Sequence, residues 1–123
     1  FHGHSGPFLL LGIRAGIIAV SKLGSEGHTK QLMAEVHCPL RTPYSCMIDG
    51  VQISTGCTLG KRNIKEFDDK KIWLKFSTQN KQLKISINPK FDLERFAKGT
   101  MEDVHARASE FLKIPDKEIF VLE

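Results

Sequence analysis

Two short stretches hold most of the residues able to do chemistry. The first, FHGHSGPF, places His2 and His4 on either side of Gly3. Residues i and i+2 of an extended segment point the same way, so both imidazoles can face one site. Two imidazoles do not make a metal centre, because three or more ligands have to converge. By residue type alone they read as polar residues leading into a helix. The second stretch, CMIDGVQISTGCTLGK, carries Cys46, Asp49, Cys57 and Lys61. Cys57 stands in a glycine-flanked turn, where exposed backbone amides can lower a thiol pKa and make the sulfur a soft ligand or a nucleophile. The bland alternative is a small buried residue. Cys46 lies one helical turn before Asp49 and reads equally well as core. Asp49 suits an orienting role, accepting the free N–H of a ligating imidazole, better than direct ligation. Lys61 could balance anionic charge or hold an acidic ligand, and an exposed turn lysine accounts for it equally well.

Other candidates are weaker. Gly60-Lys61 looks like the end of a phosphate-binding loop, but the upstream glycine and strand are missing, which removes a nucleotide site. His28 falls in a loop and His105 on a helix beside Arg107, where exposure is the default. His37 and Cys38 are strand neighbours that point to opposite faces and cannot easily share a metal.

A chain of 123 residues has room for one domain, 1–123, with a core that needs neither disulfides nor a structural metal. Its 18 Lys and Arg against 14 Asp and Glu leave a net charge of +4, scattered rather than striped, so no nucleic-acid partner is expected. Three cysteines, an odd number without framework spacing, argue against a secreted disulfide scaffold and for a reducing cytoplasm. PFLLLGIRAGIIAVSKLG falls short of the roughly 20 residues a bilayer demands. It also carries Arg14 in its middle, so a buried helix is expected and no membrane association. There is no signal-peptide cleavage pattern, and the start at Phe1 leads us to expect residues upstream.

The elements that must position the chemistry follow from local signals. Pro7 and Gly24 bracket a helix over about 7–23. It is apolar nearly all round, so both of its faces should meet protein. LMAEVHC alternates as a strand, and the prolines of PLRTPY end it. Cys46, Asp49, Gly50 and Ile53 share one face of a helix over about 45–54. NIKEF, KIWLKFS and QLKISIN read as strands joined by the hairpin-like DDK and TQNK. Thr100 can cap a helix over about 101–112, Pro115 ends it, and EIFVL closes the chain as a short strand. The expected class is α+β: an antiparallel sheet packed against a long buried N-terminal helix and further helices.

Together these stretches resemble the core domain of FmdE, a family of formylmethanofuran dehydrogenase subunits. FHGHSGP and LGIRAG stand where that family has Phe-His-Gly-His-x-Cys-Pro and Leu-Gly-x-Arg-Ala. CMIDGVQ and TGCTLGKRN stand for its Cys-x-x-Asp-x-x-Gln and Thr-Gly-Cys-Thr-x-Gly-Lys-x-Asn. The likeness runs over most of the chain, to IPDKEIFVL. Gly6 replaces the cysteine of the first motif, and the C-terminal zinc-ribbon cysteines frequent in the family are absent after Cys57.

The resemblance implies ligand roles for His2 and His4 beside Cys57 and Cys46, with zinc as the metal and nickel or iron as alternatives. It also implies a link to C1 metabolism and dehydrogenase-complex subunits as partners. An alternative is an enzyme in which a metal-bound water or the Cys57 thiolate attacks a carbonyl while Asp49 moves the proton. Another is an accessory subunit whose site decayed with the loss at position 6. A helix apolar on every side also predicts a homodimer, as the resemblance does, with Phe8, Leu9, Ile17 and Ile18 in the interface and one protomer's histidines near its partner's Cys57 loop.

Overall fold

The structure, a computed structural model, describes residues 1–24, 32–99 and 103–123. The SEGHTK loop with His28, and the Thr100 cap, lie outside the described residues. Helix α1 spans Pro7–Leu23, with Pro in its first turn, and ends at Gly24 in the left-handed region. Strand β1 (Met33–Cys38) leads to α2 (Cys46–Thr55), and then come β2 (Ile64–Asp68), β3 (Trp73–Ser77) and β4 (Gln82–Ile87). A short 3-10 turn at Glu94–Phe96 precedes α3 (Val104–Leu112), and α4 (Asp116–Ile119) runs directly into β5 (Phe120–Leu122). Among the described residues, no helix is long and apolar enough to cross a membrane.

The α+β class is as expected, but the five-stranded sheet is mixed. Its order is β2-β1-β3-β4-β5. β1 lies antiparallel to β3 but parallel to β2, with Ala34 opposite Ile64. A parallel neighbour needs a long crossover, and α2 provides it. DDK is therefore not a hairpin. It steps across the end of β1, where the Asp69 N–H donates to the Cys38 carbonyl (3.1 Å) and the Asp69 side chain accepts from Lys71 N–H and Trp73 Nε1–H. TQNK does form a hairpin, closed by Thr78 N–H to the Lys81 carbonyl (2.9 Å).

One face of the sheet is covered. Val36, Leu74, Phe76 and Ile85 are fully buried in the core, as the period-2 pattern requires, and α1 packs over β3 and β4. On the other face, His37 stacks between Trp73 and Phe67, at ring separations of 3.6 and 4.6 Å. Its place in this cross-strand stack keeps it away from the residues discussed below. Arg14, the charge inside the apolar helix, is also structural. It donates to the Phe111 and Ile114 carbonyls at the end of α3 (3.0 and 2.5 Å) and pairs with Asp116. The Phe111 carbonyl also accepts from the Ile114 N–H (3.2 Å), so the guanidinium adds a further donor at the carbonyl end of α3, where acceptors outnumber backbone partners.

Cys38 is fully buried. Burial, then the carboxylates of Glu66 and Asp68, push its thiol up from the ordinary 9.0 to about 11. Between those values the unfolded chain has lost this proton and the folded chain keeps it. Stability therefore falls as pH rises through that window, by up to roughly 2–3 kcal/mol. Cys38→Ala should flatten the fall, measured as urea midpoints from pH 8.5 to 11. Identical slopes in the two proteins would refute the assignment.

Candidate functional site

The α1–α2 pairing sets the geometry of the site. Gly12 and Gly50 face each other across it, and a Cβ on either would strike backbone of the opposite helix. This close approach places the N-terminal segment over the first turns of α2. The chain turns at Gly3, whose φ of 101° suits glycine. It is this turn, rather than an extended alternation, that brings the two imidazoles to a ring separation of 4.9 Å.

His2 is the ordered member of the pair. Its Nδ1–H donates to Asp49 Oδ2 at 2.5 Å, and its side chain is 12% exposed. Nε2, on the far side of the ring, is buried and has no hydrogen-bond partner among the described residues. Asp49 is held in turn by Gln52, whose Nε2–H donates to Asp49 Oδ1 (3.2 Å), and Gln52 Oε1 accepts from the Leu59 N–H (3.1 Å). A chain of hydrogen bonds thus joins the loop after α2 to the His2 ring. Gln52 was part of the second motif, but its role is visible only when the loop amide it serves is in place.

His2 and His4 line a cavity of about 360 Å³ beside the N-terminus of α2. Cys46 stands in its wall, with Thr42 and Pro43 from the segment before α2. Phe96, Gly99, Val104 and Arg107 close the opposite side. Gly6, where the resembling motif has cysteine, is also in the wall, and a Cβ there would come within 3.1 Å of Val104 Cγ2. Burial first, and then the Asp49 carboxylate, raise the Cys46 pKa above its ordinary value, so this thiol stays protonated at neutral pH.

Cys57 and Lys61 do not line this cavity. Cys57 is fully buried at the far end of α2, some 15 Å along a helix of this length. Its Sγ–H donates to the Leu32 carbonyl (3.4 Å). Burial raises its pKa, outweighing the opposing effects of the Thr55 bond and the Lys61 charge. Buried Asn63 and Gln52 and the Thr55 hydroxyl supply the hydrogen bonds of the TGCTLGKRN loop: Cys57 N–H goes to Thr55, Thr58 N–H to Asn63, and Asn63 Nδ2–H to the Leu32 carbonyl. The motif's spacing therefore serves loop packing. Lys61 is exposed on this loop and His105 on α3. A histidine pair from a second protomer could not reach Cys57 without opening the core around it.

The residues at the cavity fit a metal ion in part. An imidazole with one nitrogen held by a carboxylate and the other buried without a partner has the arrangement of a ligating histidine. His4 and Cys46 are further donors of the right softness. Yet no three His, Cys, Asp or Glu side chains converge on one point among the described residues. The described residues supply an incomplete set.

Among known proteins, one of Archaeoglobus fulgidus described as "Probable S-adenosyl-L-methionine-binding protein" is 41% identical over 68 residues. The shared segment is 55% of this chain and 19% of that protein, so the chain spans about a fifth of that relative's length. The family described as "FmdE, Molybdenum formylmethanofuran dehydrogenase operon" matches residues 1–121. With the match running nearly from end to end, and over both the histidine segment and the α2 segment that wall the cavity, this chain belongs to the FmdE family.

Proposed function

We propose that this FmdE-family domain binds a metal ion, zinc in first place and nickel or iron as alternatives, at the cavity formed by His2, His4 and Cys46. The reading extends to a cytoplasmic role linked to C1 metabolism, in company with subunits of a dehydrogenase. It is carried by His2, whose Nδ1–H is fixed by Asp49 while Nε2 is buried with no partner among the described residues. When bound, such a metal supplies Lewis acidity. The chain's own residues do the rest. Asp49 selects the tautomer that leaves the Nε2 lone pair available, and Gln52 keeps Asp49 in place. Cys46 must release a proton to ligate, so affinity rises with pH.

The remaining coordination falls to water, a bound ligand or a second copy of the chain. For that second copy the available apolar surface is smaller than the sequence implied. Phe8 and Leu9 are covered by their own chain, Ile18 is half-buried, and Ile17 is 57% exposed. A homodimer would therefore use Ile17 with other exposed apolar residues such as Ile53 and Leu59.

Elemental analysis of the purified protein, with sedimentation velocity on the same sample, tests this reading. Metal near one equivalent is expected, reduced in His4→Ala and Cys46→Ser but retained in Cys57→Ser. Metal that stays stoichiometric in both His4→Ala and Cys46→Ser would sink the site, and a metal-loaded monomer would sink the homodimer.

A second reading has one observation in its favour. Gly6 lies in the cavity wall itself, so the thiol that the family motif carries there is missing from the site and not from a remote surface. On that reading the chain is a non-catalytic accessory subunit with a decayed centre, and the protein takes up no metal even when zinc is supplied.

A further inference from the structure

We propose that the cavity binds a small uncharged aromatic molecule, its ring on a floor of Phe8, Leu9, Phe96 and Val104 and its polar end at the rim beside His4 and Thr42. This use of the cavity rests on reading it as the functional site, but it does not require the metal. The four floor residues are buried whereas His4 and Thr42 are exposed, so the space runs from an apolar interior to a polar mouth. The floor side chains offer water no hydrogen-bonding group. An apolar space of that kind favours an apolar occupant, which gains by leaving water.

Size and charge narrow the class. An apolar cavity of about 150 Å³ holds one benzene ring, so a volume of about 360 Å³ takes a substituted ring or two fused rings. Phe96 packs edge-on against Phe111 at a ring separation of 5.3 Å, and Phe8 meets Tyr44 edge-on at 5.1 Å. Neither Phe111 nor Tyr44 lines the cavity, so both floor rings are held from behind, and a ring laid on them extends the aromatic packing. Among the described residues no carboxylate lines the cavity to balance a cation. The Arg107 guanidinium in the wall already has the Asp103 carboxylate beside it (4.0 Å), and an anion would have to compete with that pairing. Burying a charge without a partner is costly, which leaves an uncharged ligand.

Gly6 sets how much of the floor is open. It is buried in the wall, and a Cβ there would come within 3.1 Å of Val104 Cγ2. Its φ of −124° is one that any residue adopts, so no turn demands glycine at this position. The bare backbone instead leaves space against Val104 that the cysteine of the family motif would fill. The loss at position 6 therefore widens the floor for a ring.

The full chain titrated with p-cresol, benzoate and benzylamine, followed by backbone and side-chain NMR, provides the test. The three probes are similar in size and are neutral, anionic and cationic at neutral pH. p-Cresol is expected to shift the resonances of Phe8, Phe96 and Val104 in a saturable way and to bind at least about tenfold tighter than either ion. Gly6→Cys should lose about fivefold or more in p-cresol affinity, and Gly6→Ala should lose less. Lys61→Gln should bind as the wild type does. Equal binding of the three probes, tighter binding of benzoate or benzylamine, or full p-cresol affinity in Gly6→Cys would each overturn the proposal. The comparison of probes needs no variant and holds if Gly6→Cys fails to fold. Metal content measured on the same samples separates the two proposals. Metal-free wild type that binds p-cresol, with the loss in Gly6→Cys, sinks the metal site and supports this one. Metal-loaded protein that shows no saturable shift with p-cresol does the reverse.

Discussion

Gly50→Ala should destabilise the fold by about 2–3 kcal/mol, net of the roughly 1 kcal/mol that alanine adds to an isolated helix. The methyl group would strike the Leu9 carbonyl oxygen and would lie 2.7 Å from the Ile13 nitrogen, both backbone atoms of α1. Backbone cannot rotate away as a side chain can, so the helices must part. Gly12→Ala should cost a similar amount, because its methyl meets the Met47 carbonyl from the other side, with the carbonyl carbon 2.8 Å away. Gly60→Ala is the control. Its methyl would find one neighbour, Thr58 Oγ1 at 3.9 Å, and should change stability by no more than about 0.5 kcal/mol. Denaturant midpoints measure all three, and a Gly50→Ala protein as stable as the wild type would show that α1 and α2 are not this close. Separation of the helices also carries His2 away from Asp49, so the damage should extend to ligand binding at the cavity.

The second large effect concerns that pair directly. His2→Ala removes the imidazole whose free nitrogen is buried with no hydrogen-bond partner among the described residues, and should abolish stoichiometric metal binding on the function proposed above. Asp49→Asn is the finer probe. An asparagine keeps the size but loses the charge, and its amide can turn to donate to Nδ1, which would move the ring proton to Nε2 and close that nitrogen to a ligand. Metal affinity should fall about 10–100-fold. The Asp49 carboxylate is 36% exposed, so the fold should survive, and far-UV circular dichroism checks this. Competition with a chromogenic chelator gives the affinity. Equal affinities in Asp49→Asn and the wild type would remove the carboxylate from the site.

Local signals were the legible part of the fold. Pro7 and Gly24 delimit α1 because each acts through its own backbone, one by lacking an N–H and the other by tolerating a left-handed turn. Leu74 and Phe76, like Leu83 and Ile85, alternate because a pleated strand sends successive side chains to opposite faces whatever its neighbours are. Arg14 was visible as a charge out of place. That it caps the end of α3 was not, because the carbonyls it serves belong to Phe111 and Ile114.

The sequence by itself determined the family, the helix and strand positions, and the two segments from which the cavity is built. Which residues of those segments meet was decided by tertiary structure alone. Strand pairing is one case: Asp68 to Lys70 have the polarity of a hairpin, but β2 pairs with β1 because α2 carries the chain across, a choice made by packing. The cysteines are another. Cys46 and Cys57 share a motif, yet the helix between them separates their sulfurs, leaving one in the cavity wall and the other bonded to Leu32 in the core. Arg107 had no motif at all and reaches the cavity because α3 packs beside α1. Periodicity reports how a segment lies on its own backbone. The meeting of His2 with Asp49, 47 residues away, depends on two glycines that let two helices touch, and only the folded chain brings them together.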